Sequence, residues 1–495
     1  MSPTPARRLR GETRVLVLSS SLLIDRMLLH TGFLDALAQQ GSSVEIWASS
    51  TRNPLYRHQW ADVPASVRPL PEVKAFRELL HNYPRRLNEA VWDRRQREPS
   101  RLSMMRHRPV NRENRLGWLI DKAAHVLARA RIERALDDLL ERWLVRYDRS
   151  AEASNLLREL SPHVVLVTGP FQFEQPAITA AALRQGIPTL ALIPSWDNIS
   201  TKRRMIFKYD GYIVWSEKLR NELYERYPHT RNRPVYIVGA PQFDVFFQQK
   251  FQQSRNEFCA SQGLDPARPI ILYAVGSPNF LSGEPYGALA LAQAVERGDL
   301  GDAQMLVRPH PLHDHTTLSE LFKNSGGRIH LQQTSVAGTP VSLRSQDEQQ
   351  ILEWVNTFRH AAVVVNLSST VAVDAAICDR PVVNLDFDPS PGQPDQDLIK
   401  EINHRWTHFS PIAESDGLWL VNNVGEMIQA VRTYLKSPEL HREGRRWITK
   451  YVCEHPDGAC GARMAAAIEE FLDVRGHESS GGANGGVAMK RTFAG

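Results

Sequence analysis

Arg14-Val-Leu-Val-Leu-Ser-Ser-Ser21 is an apolar run ending in three small polar residues; a helix-like stretch over residues 22–40 follows it, then Gly41 and a second apolar run over 44–48. Strand, small-residue turn, helix, glycine and strand in that order open a doubly wound α/β domain. The turn lacks the spaced glycines of a dinucleotide fingerprint, so no nicotinamide cofactor is expected. The rhythm returns later. Short apolar runs at 164–167, 189–193, 212–215 and 235–238 alternate with helical patterns at 177–185 and 217–226. After a charged, glutamine-rich connector over 246–265, a second set begins: 270–275 runs into Gly276-Ser277, 305–307 into Arg308-Pro-His-Pro311, 362–366 into Ser368-Ser-Thr370 and a helix, and 381–385 follows. Two such α/β sets predict two Rossmann-like domains, residues 1–245 and 266–475, facing each other across a cleft. The last helix is expected over 461–474, and the Gly- and Ser-rich tail, 476–495, is expected to be disordered.

The stretch between 51 and 150 breaks this rhythm. It reads as helical, with Leu116, Ile120, Ala124 and Leu127 at helical spacing, and is taken as an insertion in the first domain. It is also basic: 22 Lys and Arg stand against 13 Asp and Glu, a surplus of nine, so the other 395 residues carry −4 within the total of +5. The surplus peaks over 85–115, with ten arginines and four acids. Such a block suits a phosphate-rich partner, whether an anionic membrane surface, a polyphosphate-linked acceptor or nucleic acid, and equally suits a solvated helical face. No nucleic-acid-binding module accompanies it, so no nucleic acid is expected.

Composition narrows the class. With 42% hydrophobic and 23% charged residues over 495 positions the chain is neither disordered nor collagen-like, and no apolar run is long enough to span a bilayer. The start, Met1-Ser-Pro-Thr-Pro-Ala-Arg-Arg8, carries no apolar signal segment. Cysteines at 259, 378, 453 and 460 suit neither a disulfide framework nor a zinc hairpin. A reduced, cytoplasmic protein without a metal is the expectation, peripheral at the inner face of a membrane if the basic block docks there.

Four places carry chemistry. Ser368, Ser369 and Thr370 stand between a strand and a helix that includes Asp374; hydroxyls, free amides and the positive helix end make an anion site there, and the same serines also fit a plain helix cap. In Arg308-Pro-His-Pro311 two prolines fix the backbone about His310, which would bond a phosphate or protonate a leaving oxygen, beside the permanently charged Arg308; a turn histidine held by a carbonyl fits as well. After the strand at 189–193 comes Ser195-Trp-Asp-Asn-Ile-Ser-Thr-Lys202. Asp197 in this loop would be a general base for an acceptor hydroxyl, or the head of an Asx turn, with Trp196, Asn198 and Lys202 around it. Gly239-Ala-Pro-Gln-Phe-Asp244 leaves the first domain, placing Asp244 at the hinge or in the cleft, and Gly276 with Ser277 sits at the equivalent edge of the second.

Taken together and in order, these segments resemble the CDP-glycerol glycerophosphotransferase superfamily and related surface-carbohydrate glycosyltransferases over about residues 160–470. The 195–202 loop is similar to the family's tryptophan–histidine–glycine–threonine–proline–x–lysine segment, with Asp197 and Asn198 where the family has histidine and glycine. Gly239-Ala-Pro-Gln-Phe-Asp244 is similar to its glycine–x–proline–x–x–aspartate turn, and Arg308-Pro-His-Pro311 to its arginine–x–histidine–proline motif. Ser368-Ser-Thr370 with Asp374 matches its serine pair and helix aspartate, and Asp457-Gly458 with Arg463 its closing segment. The resemblance implies the GT-B fold. It also implies metal-independent transfer from a nucleotide-activated donor to a hydroxyl of a glycan or lipid-linked acceptor, with inversion favoured because no pair of glutamates eight residues apart is found near the second-domain site. On that model Arg308, His310, Ser368 and Ser369 hold the donor phosphates and the 195–202 loop supplies the base, here Asp197. A nucleotide-sugar epimerase of the same fold and a silent nucleotide- or glycan-binding protein are the alternatives.

Overall fold

The computed structural model describes residues 13–71, 79–107, 115–130, 132–147, 150–171, 175–202, 204–278, 280–281, 283–310, 315–333 and 343–481. Its strands are β1 (Thr13–Ser19), β2 (Ser42–Ala48), β3 (Ser66–Pro69), β4 (Val164–Val167), β5 (Thr189–Leu192), β6 (Gly211–Val214) and β7 (Val235–Ile237), then β8 (Ile270–Ala274), β9 (Gln304–Arg308), β10 (Ile329–Leu331), β11 (Val363–Asn366), β12 (Val382–Leu385) and β13 (Trp419–Val421). They form two sheets, ordered β3-β2-β1-β4-β5-β6-β7 and β10-β9-β8-β11-β12-β13. All pairings are parallel, from Val15↔Val164 in the first to Ile271↔Met305 in the second. Helices cover both faces of such sheets, which is why β4, β5, β6, β8, β11 and β12 are buried along their whole length and are mostly apolar. This is the GT-B fold.

Strand order reverses between β1 and β4 in one sheet and between β8 and β11 in the other. A crevice opens beyond the strand ends at each reversal. It lies at Ser19–Ser21 in the first domain, and at Gly276-Ser277 with Leu367–Thr370 in the second.

Three features depart from the sequence expectations. The edge strand β3 pairs with β2 inside the stretch read as insertion, so the helical part, Leu79–Gln96 to Ala151–Leu160, lies wholly between β3 and β4. The single helix expected over 22–40 is two, Leu22–Leu29 and Phe33–Gln39, because Gly32 takes the left-handed conformation at φ 72°. The last helix, Cys460–Gly481, runs six residues into the expected tail, and 482–495 lie outside the described residues.

That last helix also crosses back onto the first domain. Phe471 packs on Gly211 of β6, Arg475 pairs with Asp210 at 3.1 Å, and Gly461 abuts Thr31 so closely that a Cβ there would lie 2.4 Å from the Thr31 carbonyl oxygen. Asp244 organises the crossing: its carboxylate accepts the Cys460 amide at 3.2 Å and the Gly461 amide at 2.8 Å, so it caps the helix from across the connector. Burial outweighs those amides and raises its pKa to about 6.

Candidate active site between the two domains

The second-domain loops are tied together by one carboxyl group. Glu284 is 1% exposed and accepts the Gly276 amide at 2.6 Å and the Leu367 amide at 3.1 Å, joining the loop after β8 to the loop after β11. Burial raises its pKa to about 8, against the pull of those two amides. Next to it Ser368 is held at φ 47°, a left-handed conformation that costs a non-glycine residue about 1–2 kcal/mol. Three contacts hold it there: its amide donates to Asn384 Oδ1 at 2.8 Å, its hydroxyl to Asn403 Oδ1 at 2.8 Å, and Asn384 donates to Asn403 at 3.0 Å. Ser368 therefore does not cap the helix Val371–Ile377. Ser369 approaches that role, its Oγ accepting the Val371 amide at 3.3 Å, while the Ser369 and Thr370 amides have no protein acceptor among the described residues.

Both domains contribute to a charge cluster beside this loop. Asp374, one turn into the helix, is buried and its Oδ1 has no hydrogen-bond partner among the described residues. Burial raises its pKa to about 7, while Arg26 from the first domain and Arg308 from the end of β9 pull it down. Burial lowers both guanidinium pKa values to about 10, with Asp374 opposing the fall. Each arginine is aimed by a glutamine: Arg26 Nε donates to Gln346 Oε1 at 2.8 Å, and Arg308 Nη1 to Gln332 Oε1 at 2.6 Å. Arg26 also lies 3.9 Å over the Trp354 ring, so its charge is fixed on both sides. Beside it, Asp25 accepts Ser19 Oγ at 2.5 Å; burial raises its pKa to about 6 while the Ser19, Ser50 and Ser345 hydroxyls oppose the rise, so both domains hold it.

The sign of the pH dependence follows. A carboxyl whose folded pKa is raised binds its proton more tightly folded than unfolded, so stability falls as pH rises from the unfolded value near 3.8 through about 7. The full drop for Asp374 is about 4 kcal/mol at 1.36 kcal/mol per unit. Asp374→Asn is expected to flatten the decline of melting temperature between pH 4 and pH 8; an unchanged slope would show that Asp374 does not titrate there.

In the first domain the loop after β5 forms the opposing wall. Asp197 accepts Ser195 Oγ at 2.5 Å and Asn198 Nδ2 at 3.1 Å on one oxygen, and Thr201 Oγ1 at 2.8 Å on the other. Burial pushes its pKa up, but His408, the two hydroxyls and Lys202 together pull it below the usual carboxylate range, so it is ionised at neutral pH. His408 comes from the second domain, and burial lowers its pKa to about 4, leaving a neutral ring facing an anionic carboxylate. A chain of rings crosses the cleft here: Phe280 to Trp406 at 5.7 Å between centroids, Trp406 to His408 at 5.6 Å, and His408 to Trp196 at 5.2 Å. Trp196 Nε1, Trp406 Nε1 and His408 Nδ1 are all buried without a hydrogen-bond partner among the described residues.

Of the residues singled out in the sequence, Arg308, Gly276, Ser368, Ser369, Thr370 and Asp374 come together at the second-domain edge, and Trp196, Asp197 and Asn198 form the facing wall. His310, half-buried, follows β9 on the second-domain edge; Pro311 lies outside the described residues. Ser277 is half-buried beside Gly276, and Lys202 is exposed. Asp244 belongs to the crossover. Arg26, Glu284 and His408 were not singled out. The adjacent Asp25 and Arg26 inside the otherwise apolar Leu22–Leu29 were the one available signal, since charges on a buried helix face need partners. Glu284 and His408 sit outside any periodic pattern. Among the described residues, no group of three or more His, Cys, Asp or Glu is placed to hold a metal.

No family model matches the chain, and neither does any curated protein. Solved structures do. The UDP-GlcNAc 2-epimerase from Neisseria meningitidis bound to UDP-GlcNAc is 13% identical, with 93% of this chain and 100% of that one covered at a TM-score of 0.51. The UDP-GlcNAc 2-epimerase from Methanocaldococcus jannaschii is 12% identical over 92% and 99% of the two chains, with a TM-score of 0.51. The S. aureus MnaA structure with UDP is 11% identical over 93% and 97%, with a TM-score of 0.52. At these identities the likeness is one of fold: two Rossmann-like domains in the GT-B arrangement.

Proposed function

We propose that this protein is a GT-B transferase that moves a glycosyl or polyol-phosphate group from a nucleotide-activated donor to a hydroxyl of a glycan or lipid-linked acceptor. The observation that carries the reading is the pair of guanidiniums, buried Arg26 and half-buried Arg308, supplied by opposite domains to the edge that carries the Ser369 and Thr370 amides, which have no protein acceptor among the described residues. Fixed cations and free N–H groups at a strand-end crevice suit a diphosphate, and they stabilise the charge that grows on it as it leaves. Arg308, His310, Ser368 and Ser369 hold the donor phosphates. Asp197, ionised across the cleft, takes the proton of the acceptor hydroxyl as that oxygen bonds to the transferred group and the nucleotide departs. The resemblance to CDP-glycerol glycerophosphotransferases supports the same division of roles, and the UDP bound by proteins of this fold names a nucleotide to try first.

A melting panel of CMP, CDP, UDP, GDP and ADP on wild type and His310→Ala tests it. One nucleotide is expected to stabilise the wild type by about 2.7 kcal/mol at a hundredfold excess over Kd, with the gain lost in His310→Ala. No stabilisation by any of the five overturns the donor-site assignment. Turnover of UDP-N-acetylglucosamine with no acceptor present would make the chain an epimerase of the same fold, and binding without turnover across acceptors a silent binding protein.

A further inference from the structure

The basic block read from the sequence does not present its charge to solvent as a whole. Among its arginines, Arg85 pairs with Glu89 at 2.9 Å, Arg101 with Asp93 at 2.8 Å, and Arg94 and Arg106 with Asp121 and Glu401. The two helices that follow, Arg115–Arg129 and Glu133–Tyr147, are built differently. Both pack on the helix Leu79–Gln96, where Ala124 and Ala128 meet Val91 and Leu136 packs beside them. Their other faces are open. Among the described residues eleven large hydrophobic side chains are exposed, and five fall on this helix pair and the link between its helices: Trp118 at 56%, Leu119 at 53%, Val126 at 65%, Ile132 at 41% and Leu139 at 61%.

The acids and the cations of the pair differ in their partners. Its described carboxylates turn toward basic residues of the same domain: Asp121 to Arg94, Asp137 to Arg204 at 2.9 Å, Asp138 to Lys208, and Glu141 to Lys208 at 3.9 Å. Lys122, Arg129, Arg142 and Arg146 are exposed. On the first helix Trp118, Lys122, Val126 and Arg129 recur at helical spacing, and on the second Leu139, Arg142 and Arg146 do. A face on which an exposed tryptophan and aliphatic side chains alternate with cations, while each acid named is held by a basic residue, fits a surface with an apolar interior and anionic headgroups. No described helix is long and apolar enough to cross a membrane, so the contact is with the surface.

We infer that residues 118–146 form a monotopic docking face for an anionic lipid bilayer. Trp118, Leu119, Val126, Ile132 and Leu139 enter the headgroup region, and Lys122, Arg129, Arg142 and Arg146 engage lipid phosphates. On its other side the same insertion reaches the second domain next to His408, where Thr407 Oγ1 donates to Glu98 Oε1 at 2.5 Å. Docking therefore sets the cleft at a fixed attitude to the membrane, which suits a lipid-linked acceptor; that consequence rests on the proposed transferase reading, and the docking itself does not.

Co-sedimentation of the full chain with vesicles of phosphatidylcholine, with and without phosphatidylglycerol, tests it. Binding is expected to require phosphatidylglycerol and to weaken as salt rises. Lys122→Glu with Arg129→Glu should reduce partitioning by about thirtyfold or more, and Trp118→Ala with Val126→Ala by about tenfold. Both variants should keep the wild-type nucleotide-induced melting shift, which separates loss of docking from misfolding and from failure of the donor-site reading. Absence of binding to anionic vesicles, or binding undiminished in both variants, overturns the inference. So does a wild-type dimer in sedimentation velocity that Trp118→Ala with Val126→Ala dissolves while vesicles are ignored, because the face would then be covered by a second copy of the chain.

Discussion

Asp197→Asn is expected to lower the rate of transfer by about 10²- to 10⁴-fold while leaving nucleotide affinity unchanged. The split follows from placement. Asp197 lies on the first-domain wall and contacts Ser195, Asn198 and Thr201, whereas the amides and guanidiniums proposed to hold the donor belong to the opposite edge and to Arg26. Asparagine keeps the size and one acceptor oxygen, so the loop is retained and only the proton acceptor is lost. His408 sharpens the expectation. Because its ring is neutral until about pH 4, it does not neutralise the Asp197 charge at neutral pH, and the base stays available. The rate should accordingly hold as pH falls to about 5, since Asp197 protonates only below the usual carboxylate range. The measurement is label transfer from the donor that the nucleotide panel identifies, with Kd followed separately. A variant that transfers at the wild-type rate would remove Asp197 from the chemistry, and one that loses nucleotide affinity equally would make it a structural residue.

Arg308→Ala is expected to destabilise the protein by about 3–5 kcal/mol at a pH where Asp374 is ionised, because it strips one of two cations from a buried carboxylate. It also leaves the Gln332 oxygen without the donor it meets at 2.6 Å. Adding Asp374→Ala to Arg308→Ala should restore more than half of the loss, since the stranded charge is then gone. Chemical denaturation of the two single variants and the double closes the cycle. Additive losses would show that Arg308 and Asp374 do not act on each other, and the two-domain charge cluster would fall with them. Recovery would establish that the proposed donor site is built around a coupled group whose charge balance a phosphate would change.

The fold was legible wherever strands are buried on both faces. β4, β5, β6, β8, β11 and β12 carry valine, isoleucine and leucine with little interruption, and parallel sheets demand this. The edges were not. β3, β10 and β13 have three or four residues each and partly exposed side chains, so neither length nor apolar period marks them. The break at Gly32 was equally hidden, because the apolar spacing of Leu22–Leu29 carries over into Phe33–Gln39 and only the backbone shows the left-handed residue.

The amino-acid sequence alone determined which loops lie at the strand ends, and hence that Ser368–Thr370, Arg308, Gly276 and Trp196–Asn198 border the inter-domain crevice; alternation of strand and helix fixes chain direction, and direction fixes the edge. It also placed a surplus of arginine in the insertion. Only the tertiary structure decided what those charges face. Arg26 meets Gln346 from 320 residues away, His408 is brought against Asp197 from the other domain, and Arg106 of the basic block is neutralised by Glu401, while Lys122 and Arg129 stay outside. Local pattern reports what a residue must do to be buried; the partner that makes a buried charge tolerable is chosen by domain packing, and sequence distance carries no trace of that choice.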